Sequence, residues 1–139
     1  MTGFFTGGLR DRGRRVGFSI TTLCGKQGVL AHASSKSPVR VGKYGVNVEA
    51  IDQMAVPSLS ASNPSAIVVI DEIGTMECAS QRFREAVLKV LDSEHPVIGS
   101  VAQRGGPFGH QPAGGGGRVA LTAEKRSRTW AKLWHDRLC

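Results

Sequence analysis

Cysteine is scarce in this chain: three in 139 residues, at positions 24, 78 and 139. The number is odd, the spacing is wide and there is no CxxC pair, which speaks against a disulfide framework and a zinc site. The four histidines, at positions 32, 95, 110 and 135, are as scattered, so no metal centre is expected on them. No apolar run approaches the roughly 20 residues that span a bilayer, and the opening MTGFFTGGLRDRGRR has arginines without the apolar stretch of a secretory signal. No membrane association is expected, and a cytoplasmic location is. The length suits one domain with a single core, and the ordinary composition excludes disordered and fibrous classes.

Charge is plentiful but uneven. The formal net charge is +7. Residues 1–60 hold eight basic and three acidic side chains, residues 61–109 four and six, and residues 110–139 six and two. A basic shell around an acidic centre suits a phosphate-bearing ligand, with nucleic acid as an alternative partner.

Residues 3–9 and 14–22 read as two strands joined by a turn at Asp11-Arg12-Gly13. GKQG (25–28) marks a second turn, and VLAHA after it a third strand, giving an antiparallel meander. VRVGKYGVNV (39–48) reads as one edge strand or two short ones. Residues 49–62 carry a modest helical pattern interrupted at Pro57, expected as two short pieces. After the SASNPS loop, Ala66 to Ile70 form an unbroken apolar run, as in a strand covered on both faces. SQRFREAVLKVLD (80–92) predicts a helix: Phe83, Ala86, Val87, Val90 and Leu91 share one face, and Ser80 is the expected N-cap. HPVIGSVA (95–102) reads as another strand, completing a βαβ unit. Residues 105–117, with seven glycines and two prolines, read as a loop. Residues 122–138 predict a helix whose face carries Trp130, Leu133, Trp134 and Leu138, with Thr122 as its cap. The fold class is α/β.

The apolar run ends in Asp71 and Glu72. Ligands of open parallel sheets bind beyond the carboxyl ends of the strands, and an apolar strand followed by Asp-Glu has the form of a Walker B motif. The aspartate can hold the water shell of a Mg²⁺ ion, which needs only one or two carboxylates. The glutamate can polarise a water that attacks a phosphate. Gly74 lets the backbone turn close to the phosphates.

The stretches GFFTGGLRDRGRRVGFSITTLCGKQGVLA, VGKYGVNVEAID, AIVVIDEIGTMEC and VIGSVAQRGGPF, in this order and spacing, cover most of residues 3 to 108. In them the chain resembles the THEP1-like and cancer-related nucleoside-triphosphatase family. The resemblance implies a P-loop NTPase fold: a mainly parallel sheet flanked by helices, with an N-terminal antiparallel hairpin or meander. It implies Mg²⁺-dependent hydrolysis of ATP, GTP and other nucleoside triphosphates to diphosphate and phosphate. A monomer is expected. By position, Asp71 is the magnesium residue and Glu72 the base. Ile67, Val68, Val69, Ile70, Asp71, Glu72, Ile73, Gly74 and Thr75 form a nucleotide-contacting stretch. Arg15 is a candidate phosphate ligand, and Tyr44 a candidate for stacking on the base.

The chain departs from the family pattern in three places. No GxxxxGK[ST] occurs anywhere in it, so the family's first strand and P-loop are expected to be missing. That strand ordinarily lies inside the sheet, and its loss is expected to leave neighbouring edges open. Thr75 stands where members often carry lysine or proline, and Lys125 in TAEKR where they carry asparagine. Residues 1–108 are accordingly read as an NTPase-like core and residues 109–139 as a divergent tail. The alternative function is a non-catalytic nucleotide- or RNA-binding relative.

Overall fold

The computed structural model of the chain describes residues 1–102 and 118–122. Eight strands form one sheet: β1 (Thr2–Asp11), β2 (Arg14–Thr22), β3 (Gln27–His32), β4 (Arg40–Val41), β5 (Tyr44–Val46), β6 (Val68–Ile73), β7 (Val97–Ala102) and β8 (Arg118–Thr122). Their order across the sheet is β4-β5-β3-β2-β1-β6-β7-β8. β1 pairs with β6, and β6 with β7, in parallel. The other five pairings are antiparallel.

The expected α/β fold with an N-terminal meander is therefore present, but the described sheet is mixed, with more antiparallel than parallel pairings. The meander supplies most of the strands, and short turns join antiparallel neighbours. Among the described residues β6 is flanked on both sides, by β1 over Val68–Asp71 and by β7. β8 was not anticipated. It lies in the segment set apart as a divergent tail, yet it joins the sheet beside β7, and Thr122 ends this strand. The predicted 105–117 loop, and the predicted tail helix beyond Thr122, lie outside the described residues.

The β1–β2 hairpin turns on Arg12 and Gly13, whose φ values of 48° and 79° are both positive. That geometry matches the right-handed twist of the two strands, and glycine adopts it without strain. Along β1, Phe4 is buried and its neighbour Phe5 is exposed, the alternation of a strand with one face on the core. Gly3 pairs with Val69 at φ 122°, and a Cβ placed there would stand 1.8 Å from the Val69 carbonyl oxygen.

Helical segments cover the Phe4 face. The first runs from Val48 to Ser58 as α1 (Val48–Ala50), a wide π turn (Ile51–Ala55) and α2 (Val56–Ser58). It was expected as two pieces broken at Pro57, but it is continuous. The wide turn just before Pro57 makes room for a ring that would otherwise strike the carbonyl one turn back. The second is α3 (Gln81–Leu91), with Phe83, Val87 and Val90 buried. Its N-cap is Ser80 as expected: Ser80 Oγ accepts from the Phe83 N–H at 3.1 Å, and also donates to Asp52 Oδ1. Phe4 and Phe83 meet edge to face, with centroids 5.8 Å apart. Around them Ile20, Leu30, Val46, Ile51, Val68 and Ile70 belong to the same buried apolar core. Among the described residues no helix is long and apolar enough to cross a membrane.

Candidate active site

The two acids at the end of the apolar run sit on a break in the sheet. Ile70 pairs with Gly99 and Ile73 with Val101, so Asp71 and Glu72 together oppose Ser100 alone. Two residues against one is a β-bulge, which bends the strand and re-aims its side chains. The bulge lies at the carboxyl end of β6, where ligands of parallel sheets bind. Asp71 and Glu72 are both half-buried. Asp71 Oδ1 accepts from Ser100 Oγ at 2.5 Å, so the neighbouring strand fixes its orientation.

The stretch from Ile67 to Thr75, expected to contact the nucleotide, divides by environment. Val68, Ile70, Ile73 and Gly74 are buried, Ile67, Val69, Asp71 and Glu72 are half-buried, and Thr75 is exposed. Buried Val68 and Ile70 anchor the strand in the core, and the acids stand where it emerges. Gly74 is hemmed in by carboxylates: an added Cβ would meet Glu77 Oε2 at 2.9 Å and Glu72 Oε1 at 3.1 Å.

Glu77 is the residue that sequence reasoning missed. It opens a short 3₁₀ turn (Glu77–Ala79) leading to Ser80, is only 4% exposed, and accepts from the Gly74 N–H through Oε2 at 3.1 Å. Burial pushes its carboxyl up to about 7, and the nearby charges of Glu72 and Asp71 push the same way, against the hydrogen bond from Gly74. Its signal in the sequence is slight: a lone acid between Met76 and Cys78, five residues after Glu72. Ser100 was likewise missed, as an ordinary polar residue within a strand.

The donor set suits a hard cation such as Mg²⁺: carboxylate and hydroxyl oxygens, with neither thiol nor imidazole among them. Among the described residues no group of three or more His, Cys, Asp or Glu is poised around a common metal position.

Arg15 and Tyr44 are brought together, but away from these acids. The Tyr44 hydroxyl donates to the Arg15 carbonyl at 3.4 Å, and both side chains contact Phe18. Asp71 is level with Phe5 on β1 and Arg15 with Arg10. Five residues of strand separate those levels, about 17 Å at the usual rise. The faces differ as well. Phe4, Thr6 and Gly8 alternate with Phe5, and Phe18 opposes Gly8, so the Phe18 cluster lies on the Phe4 face and Asp71 on the Phe5 face.

Comparison with known proteins agrees with this architecture. The NTPase_1 family model, described as NTPase, matches residues 1–133. The nucleoside-triphosphatase THEP1 of Thermotoga sp. (strain RQ2) is 44% identical over 107 residues, 76% of this chain and 62% of that protein. The cancer-related nucleoside-triphosphatase homolog of Mus musculus is 34% identical over 143 residues, 96% of this chain and 70% of that one. Among solved structures, THEP1 from Aquifex aeolicus superposes with a TM-score of 0.64 at 33% identity, over 72% of this chain and 60% of that one. A human cancer-related nucleoside triphosphatase superposes at 0.62 and 34% identity, over 80% and 62%. The chain thus spans less than two thirds of the length of the Thermotoga relative. With the P-loop NTPase fold of these neighbours and the match along nearly all of its length, the chain belongs to the NTPase_1 family of nucleoside-triphosphatases.

Proposed function

We infer that the protein serves Mg²⁺-dependent hydrolysis of nucleoside triphosphates to diphosphate and phosphate, with Asp71 as the magnesium residue and Glu72 as the water-activating base. The observation that carries this reading is the bulge at the carboxyl end of β6. There, two acids stand opposite a single serine, and one of them is already oriented by it. Asp71, whose Oδ1 accepts from Ser100, keeps its second carboxylate oxygen for the magnesium ion in this reading. Glu72, one residue on, accepts a proton from the attacking water. Gly74, with no side chain, lets the chain pass close to the phosphates. Glu77 holds the turn beneath them through the Gly74 amide. A bound Mg²⁺ supplies charge neutralisation at the phosphate oxygens.

Phosphate release from ATP and GTP with Mg²⁺, measured on this chain and on Glu72→Gln, tests the assignment. A general base contributes about 10²–10⁴-fold, so Glu72→Gln is expected to lower kcat by that factor. Release that survives Glu72→Gln unchanged refutes the base assignment. A folded chain that releases none is left with the alternative reading, nucleotide or RNA binding without hydrolysis.

A further inference from the structure

The cluster around Phe18 has no part in the site just described, and its composition is specific. Arg10 and Arg15 stand directly opposite one another across β1 and β2. Opposed residues share a face, and like charges in that position weaken strand pairing. Neither arginine has an acidic partner among the described residues. Arg10 Nη1 donates to the Gly13 carbonyl at 3.2 Å, and the Arg15 guanidinium lies 5.2 Å from the centroid of Phe18. Gly8 leaves the floor for it: a Cβ there would meet Arg15 Nε at 3.3 Å.

Beyond Phe18 the row continues. Tyr44 packs edge to face on Phe18, with centroids 5.2 Å apart at 78°. Exposed Lys43 places its Nζ 5.4 Å from the Tyr44 centroid. Three cations and two rings thus run from β1 across β2 and β3 to Tyr44 at the start of β5 and Lys43 just before it. Arginine pairs bind phosphate oxygens in a defined geometry, and a ring flanked by cations is a stacking platform for a base. A phosphate shared by Arg10 and Arg15 would also remove the repulsion between them.

We propose that this face is a second binding site, separate from the carboxylates at the end of β6, for a nucleoside phosphate: its phosphate on Arg10 and Arg15, and its base on Tyr44 in place of the Lys43 ammonium. The same chemistry is offered by a free nucleotide and by single-stranded nucleic acid, and the two are told apart by the probes.

The test is equilibrium binding to the full chain without Mg²⁺, at about 50 mM salt, where phosphate contacts are strong. The probes are a fluorescein-labelled octauridylate, read by anisotropy, and adenosine 5′-monophosphate, read by calorimetry. Arg15→Gln, at an exposed position, and Tyr44→Ala are each expected to weaken binding about tenfold or more. Unchanged melting curves would exclude a folding defect, and Tyr44→Phe is expected to restore affinity to within about threefold, since stacking needs the ring. Asp71→Asn, on the other face, is expected to leave affinity within about twofold. Octauridylate binding much more tightly than the monophosphate identifies nucleic acid as the ligand, and comparable affinity identifies the free nucleotide. The proposal is overturned if neither probe binds at millimolar concentration, if Arg15→Gln binds as the parent does, or if Asp71→Asn weakens binding as much as Arg15→Gln.

Discussion

The Gly74 amide donates to Glu77 Oε2 across a three-residue turn, so a buried carboxyl lies directly beneath the paired acids of β6. Its titration sets a pH dependence of stability. The folded carboxyl holds its proton up to about 7, against 4.5 for an unperturbed glutamate. The folded state therefore binds the proton more tightly than the unfolded chain. The associated stability is complete below about pH 4.5, falls as pH rises toward 7, and is gone above it, a change of about 3 kcal/mol. Urea unfolding at pH 5 and pH 8 should show most of that loss, about 2.5 kcal/mol, in the parent protein. Glu77→Gln keeps an acceptor for Gly74 without the ionisation, and should show much less. Equal pH slopes for the two proteins would refute the assignment.

Ser80 joins two helical segments through one oxygen, capping α3 and donating to Asp52. Loss of an N-cap costs about 1 kcal/mol, and Asp52 loses its partner at the same time. Ser80→Ala should cost about 2 kcal/mol in total. In a double-mutant cycle with Asp52→Ala the combined loss should fall short of the sum by at least about 0.5 kcal/mol. Strict additivity would mean that the two side chains do not interact.

The alternation along β1 predicts a sharp contrast between neighbours. Phe4 packs on Phe83 in the core, whereas Phe5 is 43% exposed. Phe4→Ala should destabilise by about 3–5 kcal/mol and Phe5→Ala by less than about 1 kcal/mol. Similar losses in denaturant titrations would show that the strand is in a different register.

Two glycines with positive φ should differ as strongly. At Gly3 a methyl group collides with the Val69 carbonyl of the paired strand, so Gly3→Ala should cost more than about 4 kcal/mol or prevent folding. At Gly13 no atom lies within 4 Å of the added carbon, and asparagine tolerates left-handed backbone. Gly13→Asn should stay within about 1 kcal/mol. Thermal melts of the two variants decide it.

Much of this was legible from residue pattern alone, because the signals were local. The hairpin showed as two β runs around Arg12-Gly13, α3 as an apolar face with Ser80 before it, and β6 as an unbroken apolar run. The Asp-Glu pair at its end marked the candidate site. What escaped notice depends on strand neighbours. The bulge exists only in the register of β6 against β7. Ser100 matters because it falls opposite that bulge, and Glu77 because the turn folds it back under Gly74. β8 is too short and too plain in RVALT to announce a strand. Arg15 and Tyr44 were individually reasonable nucleotide ligands, but alternation along β1 puts them on the opposite face from Asp71.

β1 holds two kinds of partner, and this bears on the order in which the chain can fold. Its contacts with β2 close over a two-residue turn, so the hairpin, and β3 after it, assemble from segments adjacent in sequence. Its contacts with β6 join Thr2 to Val68, and the long intervening loop must be closed before they yield anything. The antiparallel meander is thus the natural early structure, presenting one free edge of β1 as the template on which β6 settles. The catalytic candidates would then take shape late, since the bulge that aims Asp71 and Glu72 forms only when β7 has docked in turn.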